Sequence, residues 1–414
     1  MASAARKLQL NPVDPENLLN PVPFYKELRE NDPVHWSDVV HGWFLTRHED
    51  VMNGLRDSRL SADRGKVLEH QFQMMGLSPE SIREVTDTFK RQMACKDGAA
   101  HLKPRRQTAA AFAPQVLDSW RPLIHRTLVT HLDKLRGRRE ADLVPELFYQ
   151  MPPLVIAELL GITPEDRERL QQWGEAVTQL TSTGAAKNIL EVARQANEGQ
   201  ARINQFLTNL VEERRREPGN DLVSHMLRSQ EQGGGMTTEE IVANTSLLLA
   251  AGHLTTTDQL SNGLYELLTH PEQLALLRRE PALLKPAIEE MMRFAPPVPF
   301  VHRIAVDTIE LRGRTIRKGD IVFLGLAAAN HDPAAFKDAE YFDISRDPHQ
   351  QKSMSFGFGP HHCLGAGLAR RELEIAFEEL LHRMPELRLD VTKLPRIKCG
   401  GLLFRGFESL PVRW

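Results

Sequence analysis

The sequence predicts a mixed α+β fold in which helix dominates, built as one large domain over residues 1–414. Three observations carry that expectation. From about Asp50 to Leu268, apolar residues recur at spacings of three and four, the period of helices with one buried stripe. After Pro296 the texture changes to short β-like runs and tight turns that lead into a Gly-rich loop. Gly and Pro, 26 each in 414 residues, are near their average share, and no low-complexity stretch marks a linker between domains.

The opening Pro12–Pro23 segment reads as extended, part of an N-terminal tail of about 20 residues, with a first helix from near Phe24. Val34-His-Trp and Trp43-Phe-Leu-Thr, parted by polar residues and Gly42, suggest a hairpin. Helical spacing then covers 115–135, 144–160, 165–180, 186–216 and 221–229. A Gly233-Gly-Gly235 break precedes Thr237-Thr-Glu-Glu240, which has capping-box character. The helix it starts runs unbroken to about His270, long and apolar enough to cross the middle of a large domain. Further on, Thr308–Leu311 and Ile321–Gly325 read as strands around a Lys318-Gly-Asp turn. A loop at 357–367 feeds a last helix, Leu368 to Arg383, followed by sheet-like pieces.

Charge and cysteine content exclude several classes. Lys+Arg 52 against Asp+Glu 55 gives a net charge of −3, so nucleic acid and anionic membrane surfaces are not expected partners. Three cysteines, Cys95, Cys363 and Cys399, cannot form a disulfide framework, and the odd count suits a reducing compartment. Arg6-Lys7 is followed by a stretch too short and polar for a signal-peptide core, and Ser246–Leu254 is about half a membrane span. A soluble, cytoplasmic, monomeric protein is expected.

The most informative stretch is Phe356-Gly-Phe-Gly-Pro-His-His-Cys-Leu-Gly365. A cysteine that serves iron as a thiolate needs backbone N–H groups and a helix N-terminus to hold its charge. Gly357 and Gly359 allow a tight turn, and Gly365 allows close packing where the next helix starts. The segment fits F-G-x-G-x-H-x-C-x-G throughout and resembles the cytochrome P-450 family of haem-thiolate enzymes. That resemblance implies a single helix-rich fold with small sheets, with haem b between a long central helix and the cysteine-loop helix. Cys363 would then be the axial ligand, flanked by Phe356 and Gly365. Cys95 and Cys399 lack such surroundings.

Other family elements occur in order along nearly the whole chain. Glu290-Met-Met-Arg293 matches E-x-x-R, whose spacing puts carboxylate and guanidinium on one helix face. Asn330-His-Asp-Pro333 and Tyr341–Arg346 resemble the family's meander, with Arg346 as third member of a structural Glu–Arg–Arg cluster. The resemblance also implies that His101, Arg105, Arg303 and His361 meet the haem propionates, which need cationic partners when buried. Where the family usually has prolines after Asp97 this chain has Gly98-Ala99, and Pro104 sits inside the segment.

Leu248-Leu-Ala-Ala-Gly-His-Leu-Thr-Thr-Thr-Asp258 resembles the family's oxygen-activating segment, A-G-x-[DE]-T-T. Ala251 and Gly252 are small enough for the helix to pass over the haem, and Thr255 stands at the oxygen-activating threonine. The usual acid is replaced by Leu254. Asp258, at i+3 from Thr255, or His253 could feed protons through water. A substrate group could complete the relay instead, or the chemistry could be altered to coupling, dehydration or peroxide use.

By the same resemblance, the substrate pocket should be lined by 64–94, 170–200, Leu247–Ala251, Val298–Val301 and the Phe404 region. Apolar residues and Met74, Met75 and Met93 suit a bulky, mostly apolar small molecule, as in natural-product biosynthesis, possibly held on a carrier protein. No flavin or iron–sulfur motif is present, so no reductase is fused and electrons should come from a ferredoxin and its reductase. Lys103, Arg105, Arg106, Arg370 and Arg371 could steer the ferredoxin. A ligand- or carrier-binding haem protein without turnover is the non-enzymatic alternative.

Overall fold

The computed structural model describes residues 14–183, 188–231, 235–398 and 403–414. Helices supply most of it, and the longest, Thr238–Thr269, runs through the interior. Its start follows from the capping box: Thr237 Oγ1 accepts from the Glu240 N–H, and the Glu240 carboxylate accepts from the Thr237 N–H. Leu260, Leu264 and Leu267 of this helix are fully buried. They share one core with Ile288 and Met291 of the helix Leu284–Phe294, and with Leu373, Phe377 and Leu380 of the helix Ala366–Arg383. Gly263 allows that convergence, since a Cβ there would stand 3.0 Å from Met291 Sδ and 3.3 Å from Phe377 Cζ.

The hairpin forms as expected, Val34–Ser37 pairing antiparallel with Gly42–Leu45. It extends a five-stranded sheet in which Gly42–Leu45 lies parallel to Ile321–Gly325, followed by Phe300–Ala305 and the two-residue strand Leu60–Ser61. The last pairing brings Ser61 opposite Ile304, and so sets the loop after Ser61 beside Arg303. A three-stranded sheet joins Glu140–Asp142, Pro411–Arg413 and Arg388–Leu389.

Two expectations need correction. The opening segment is not extended throughout: Pro15–Leu19 forms a short helix, with Asp14 capping the Glu16 N–H and proline preset at the first helical position. It is tied down, because Arg405 donates from Nε to the Leu18 carbonyl, and a second helix starts at Val22 rather than Phe24. The 144–160 segment divides into a π-helical turn, Val144–Phe148, and the helix Met151–Leu159. Residues 1–13, 232–234 and Cys399 lie outside the described residues. Among the described residues, no helix is long and apolar enough to cross a membrane.

Candidate active site

The cysteine loop is held at both ends. At its start the Met354 N–H donates to Asn330 Oδ1 at 2.6 Å, and Ser355 Oγ donates to the Met292 carbonyl at 2.6 Å. Two left-handed glycines, Gly357 (φ 67°) and Gly359 (φ 74°), turn the chain so that the Cys363 N–H reaches the Phe356 carbonyl at 2.8 Å. The helix Ala366–Arg383 starts immediately after Gly365. Burial pushes the Cys363 thiol up, opposed by the N–H groups of Gly365 and Ala366 and by the Arg105 and Arg370 guanidiniums. These same groups would stabilise a thiolate where a metal replaced the proton. Arg370 also lies over the Phe356 ring, 4.6 Å from its centroid.

Cys363 opens into a cavity of about 210 Å³ between this loop and the central helix. The helix contributes Thr255, Thr256 and Gln259, and the remaining walls include Leu55, Met292, Val298, Val301, Arg303, Phe356 and His361. Thr255 Oγ1 donates to the Ala251 carbonyl at 2.7 Å, so the exposed Ala251 backbone holds the hydroxyl in place. The Thr256 side chain is hydrogen-bonded to Glu372, whose carboxyl is pushed well up by complete burial. Both amide atoms of Gln259 are buried without a partner. Glu372 and Gln259 were missed in the sequence, where each reads as an ordinary helical residue.

Several expected residues point elsewhere. Gly252 packs against the helix Met151–Leu159, where a Cβ would meet Ile156 Cγ1 at 2.9 Å. Asp258 is fully buried but turned from the cavity. Its Oδ1 accepts from Lys398 Nζ at 2.5 Å, and Gly406 presses so close that a Cβ there would overlap the carboxylate. Burial lifts Asp258 to about 6 against the pull of Lys398. His253 likewise faces Tyr149, ring centroids 4.8 Å apart, with Nε2 buried and unpartnered. Burial, then Lys398, lowers it to about 4. Met93 lies in the core rather than on the cavity wall.

One side of the cavity is cationic. His101 and Arg105 share the helix Gly98–Ala109, which carries Pro104 in its interior, and Thr108 Oγ1 donates to the Pro104 carbonyl. His101 turns both ring nitrogens to carbonyls, Nδ1 to Met93 at 2.8 Å and Nε2 to Pro360 at 3.0 Å. Arg105 donates to the His362 carbonyl. His361 stacks on His101 with centroids 3.9 Å apart and stands 3.7 Å from Asp97. Burial first, then His101 and Arg303, lower His361 to about 3. Arg303 is buried and lowered to about 10, by burial first and by Arg64 second.

Behind the loop, Glu290 accepts from Arg293 Nε at 2.7 Å and Nη2 at 2.8 Å, and from Arg346 Nε at 3.1 Å. Arg293 in turn donates to the carbonyls of Asn330, Ala339 and Tyr341. Glu290 and Arg293 are both 2% exposed.

The cytochrome P-450 family model matches residues 66–400. The chain belongs to the cytochrome P-450 family. It is 34% identical over 414 residues to cytochrome P-450 CYP107DY1 of Priestia megaterium, covering 96% of this chain and 97% of that protein. The polyketide biosynthesis cytochrome P-450 PksS of Bacillus subtilis is 32% identical over 414 residues, 98% of each chain. Among solved structures, the BioI cytochrome P-450 in complex with hexadec-9Z-enoic acid ligated acyl carrier protein superposes with a TM-score of 0.86. It is 32% identical and covers 96% of this chain and 99% of that chain.

As a cytochrome P-450 the chain is a haem b monooxygenase, and its own residues fit that cofactor. A thiol supported by two backbone N–H groups faces a mostly apolar slot, and Gly357 and Gly365 leave space beside it. At one edge stand guanidiniums without a carboxylate partner, as two buried propionates require.

Proposed function

We propose that this cytochrome P-450 inserts one oxygen atom from O2 into a bulky, mostly apolar small molecule of natural-product biosynthesis, with electrons from a ferredoxin and its reductase. The overall balance is RH + O2 + 2e⁻ + 2H⁺ → ROH + H2O. The observation that carries the reading is one cavity with Cys363 on one wall and Thr255 on the other. Bound haem b, with a thiolate pushing electron density toward the iron, supplies oxygen activation.

The chain's own residues divide the remaining work. Cys363 would hold the haem iron through its sulfur, and the Phe356 carbonyl and the Gly365 N–H keep it in register. Arg303 and His361 would hold the propionates, while His101 and Arg105 clamp their helix to the loop through Pro360 and His362. Thr255 offers a hydroxyl over the cavity, and Thr256 stands beside it. Val298, Val301, Leu55 and Leu326 give the substrate apolar walls. The names of PksS and of the acyl-carrier-protein complex of BioI support a substrate made on a carrier.

For the ferredoxin, Lys103 and Arg106 are exposed on the helix Gly98–Ala109, and His362, Arg346 and Lys352 line a groove on the cysteine-loop side. Arg370 and Arg371 are paired with Glu289 and Asp118, so they add less net charge there than the sequence suggests. A second reading, altered chemistry, is favoured by the placement of Asp258 and His253. Neither reaches the cavity, so protons must come through hydroxyls, water or the substrate.

The test is a reduced CO spectrum followed by turnover. A band near about 450 nm that disappears in Cys363→Ser is expected. A hydroxylated product, formed with O2, NAD(P)H and a ferredoxin system from an acyl chain on a carrier protein, supports the full reading. NAD(P)H consumption without oxygenated product from any of a free-acid, macrolide or carrier-bound panel would sink it.

A further inference from the structure

The cationic edge of the cavity holds one arginine beyond those assigned above. Arg64 follows the strand Leu60–Ser61, which pairs with Ile304 and Ala305 next to Arg303. The loop between is knotted on Asp97, which accepts from Ser61 Oγ and the Ala62 N–H. Arg64 Nε is buried with no partner. Its Nη2 reaches only the Ala94 carbonyl at 3.5 Å and Cys95 Sγ at 4.0 Å, both at the outer limit of a hydrogen bond. Arg303 donates from Nη1 only to the neighbouring His302 carbonyl. Asp97, the acid of this cluster, is engaged by Ser61, Ala62 and His361. Among the described residues, neither arginine has a carboxylate partner.

Arg64 and Arg303 stand close enough to repel each other. After burial itself, Arg64 is the largest influence lowering both Arg303 and His302. Arg303 is buried and Arg64 half-buried with its Nε enclosed, and two like charges so placed are costly unless an anion enters between them. A guanidinium fork fits a carboxylate with two parallel hydrogen bonds. We propose that Arg64 is a further carboxylate-binding residue of this site, holding a haem propionate together with Arg303. The proposal rests on the reading that Arg303 faces a propionate. A carboxylate on the substrate is the other source of the same chemistry.

The experiment uses Arg64→Gln, Arg64→Lys and Arg303→Gln enzymes, each loaded with haem b or with haem b dimethyl ester, which has no carboxylate. Haem loss to apomyoglobin is timed, and hexadecanoate and its methyl ester are titrated by the Soret shift. With haem b, Arg64→Gln should lose haem about tenfold faster than wild type, the measure of one charge-assisted hydrogen bond. Arg64→Lys should recover most of that, and with the dimethyl ester the difference should vanish. Equal acceleration with both haems would mean general loosening and would overturn the assignment. Unchanged haem loss in Arg64→Gln with faster loss in Arg303→Gln would overturn Arg64 alone, whereas silence in both would remove the propionate reading itself. If Arg64→Gln weakened hexadecanoate but not its ester, with haem loss unchanged, the carboxylate would belong to the substrate and the propionate assignment would fall.

Discussion

Replacing Glu290 by glutamine should cost this protein more than any single change at the cavity wall. The carboxylate accepts four hydrogen bonds: two from Arg293, one from Arg346 and one from the Asp343 N–H at 2.9 Å. Glutamine keeps one acceptor and turns an NH2 donor toward guanidinium donors. Arg293 is 2% exposed and has no route to solvent, so its charge would be left buried against carbonyls alone. Breaking such a pair costs about 3–5 kcal/mol, a large share of a typical folding stability of about 5–15 kcal/mol. Arg346 is less enclosed, with 17% of its side chain exposed, and also donates to the Lys337 carbonyl. Arg346→Gln should therefore cost only about 1 kcal/mol.

The damage should reach the haem, because the Arg293 carbonyl accepts from Asn330 Nδ2 and Asn330 holds Met354 at the start of the cysteine loop. Thermal melts of the holoproteins and haem transfer to apomyoglobin read both effects. Glu290→Gln should melt lower by about 3–6 °C and lose haem faster. A melt within a degree of wild type, or a larger loss from Arg346→Gln, would refute the reasoning.

Asp258→Asn should leave product formed per NAD(P)H unchanged, since Asp258 faces Lys398 and not the cavity; a clear drop in coupling would restore it to the proton path. The same variant tests the pH dependence. Burial raises the folded-state value to about 6 from 3.8, so Asp258 adds stability below about pH 4, and that addition, on the order of 3 kcal/mol, is lost as pH rises through 6. Chemical denaturation at pH 4 to 7 should thus show a downward component in wild type that Asp258→Asn lacks. Gly252→Ala should cost about 1–3 kcal/mol, because the new methyl meets Ile156 Cγ1 at 2.9 Å, and pairing it with Ile156→Ala should be less than additive in denaturant melts. Thr255→Ala should keep haem and substrate spectra but divert electrons to peroxide, lowering product per NAD(P)H severalfold, roughly the 10² scale of a lost proton-transfer group at most.

What the sequence made legible was the chemistry fixed by neighbours in the chain. The cysteine loop, the Glu290–Arg293 spacing and the Thr237 capping box are each decided within a few residues, and each stands as its spacing implied. What it left illegible was which arc of a half-buried helix meets the cavity. Asp258 at i+3 and Gln259 at i+4 are both neighbours of Thr255 on a helical wheel. The cavity takes Gln259, because the segment carrying Lys398 and Gly406, about 140 residues downstream, covers the other side. Arg64 was invisible for the same reason. In a loop of polar residues it reads as a solvated charge, and only the pairing of Ser61 with Ile304 brings it to Arg303.

These two non-local facts divide the site unequally. On the cysteine side the chain supplies its own complete set of partners, from the Glu290 cluster through Asn330 to the loop N–H groups that hold charge on sulfur. On the opposite wall the central helix gives the cavity two hydroxyls and an unpartnered amide, and no side chain that carries a proton to spare. Complete burial pushes the Glu372 carboxyl well up, but Glu372 does not line the cavity and is hydrogen-bonded to Thr256, which does. A site built this way fixes how the iron is held and leaves proton supply to whatever fills the cavity. Different substrates should therefore change coupling efficiency more than any substitution at Asp258 does.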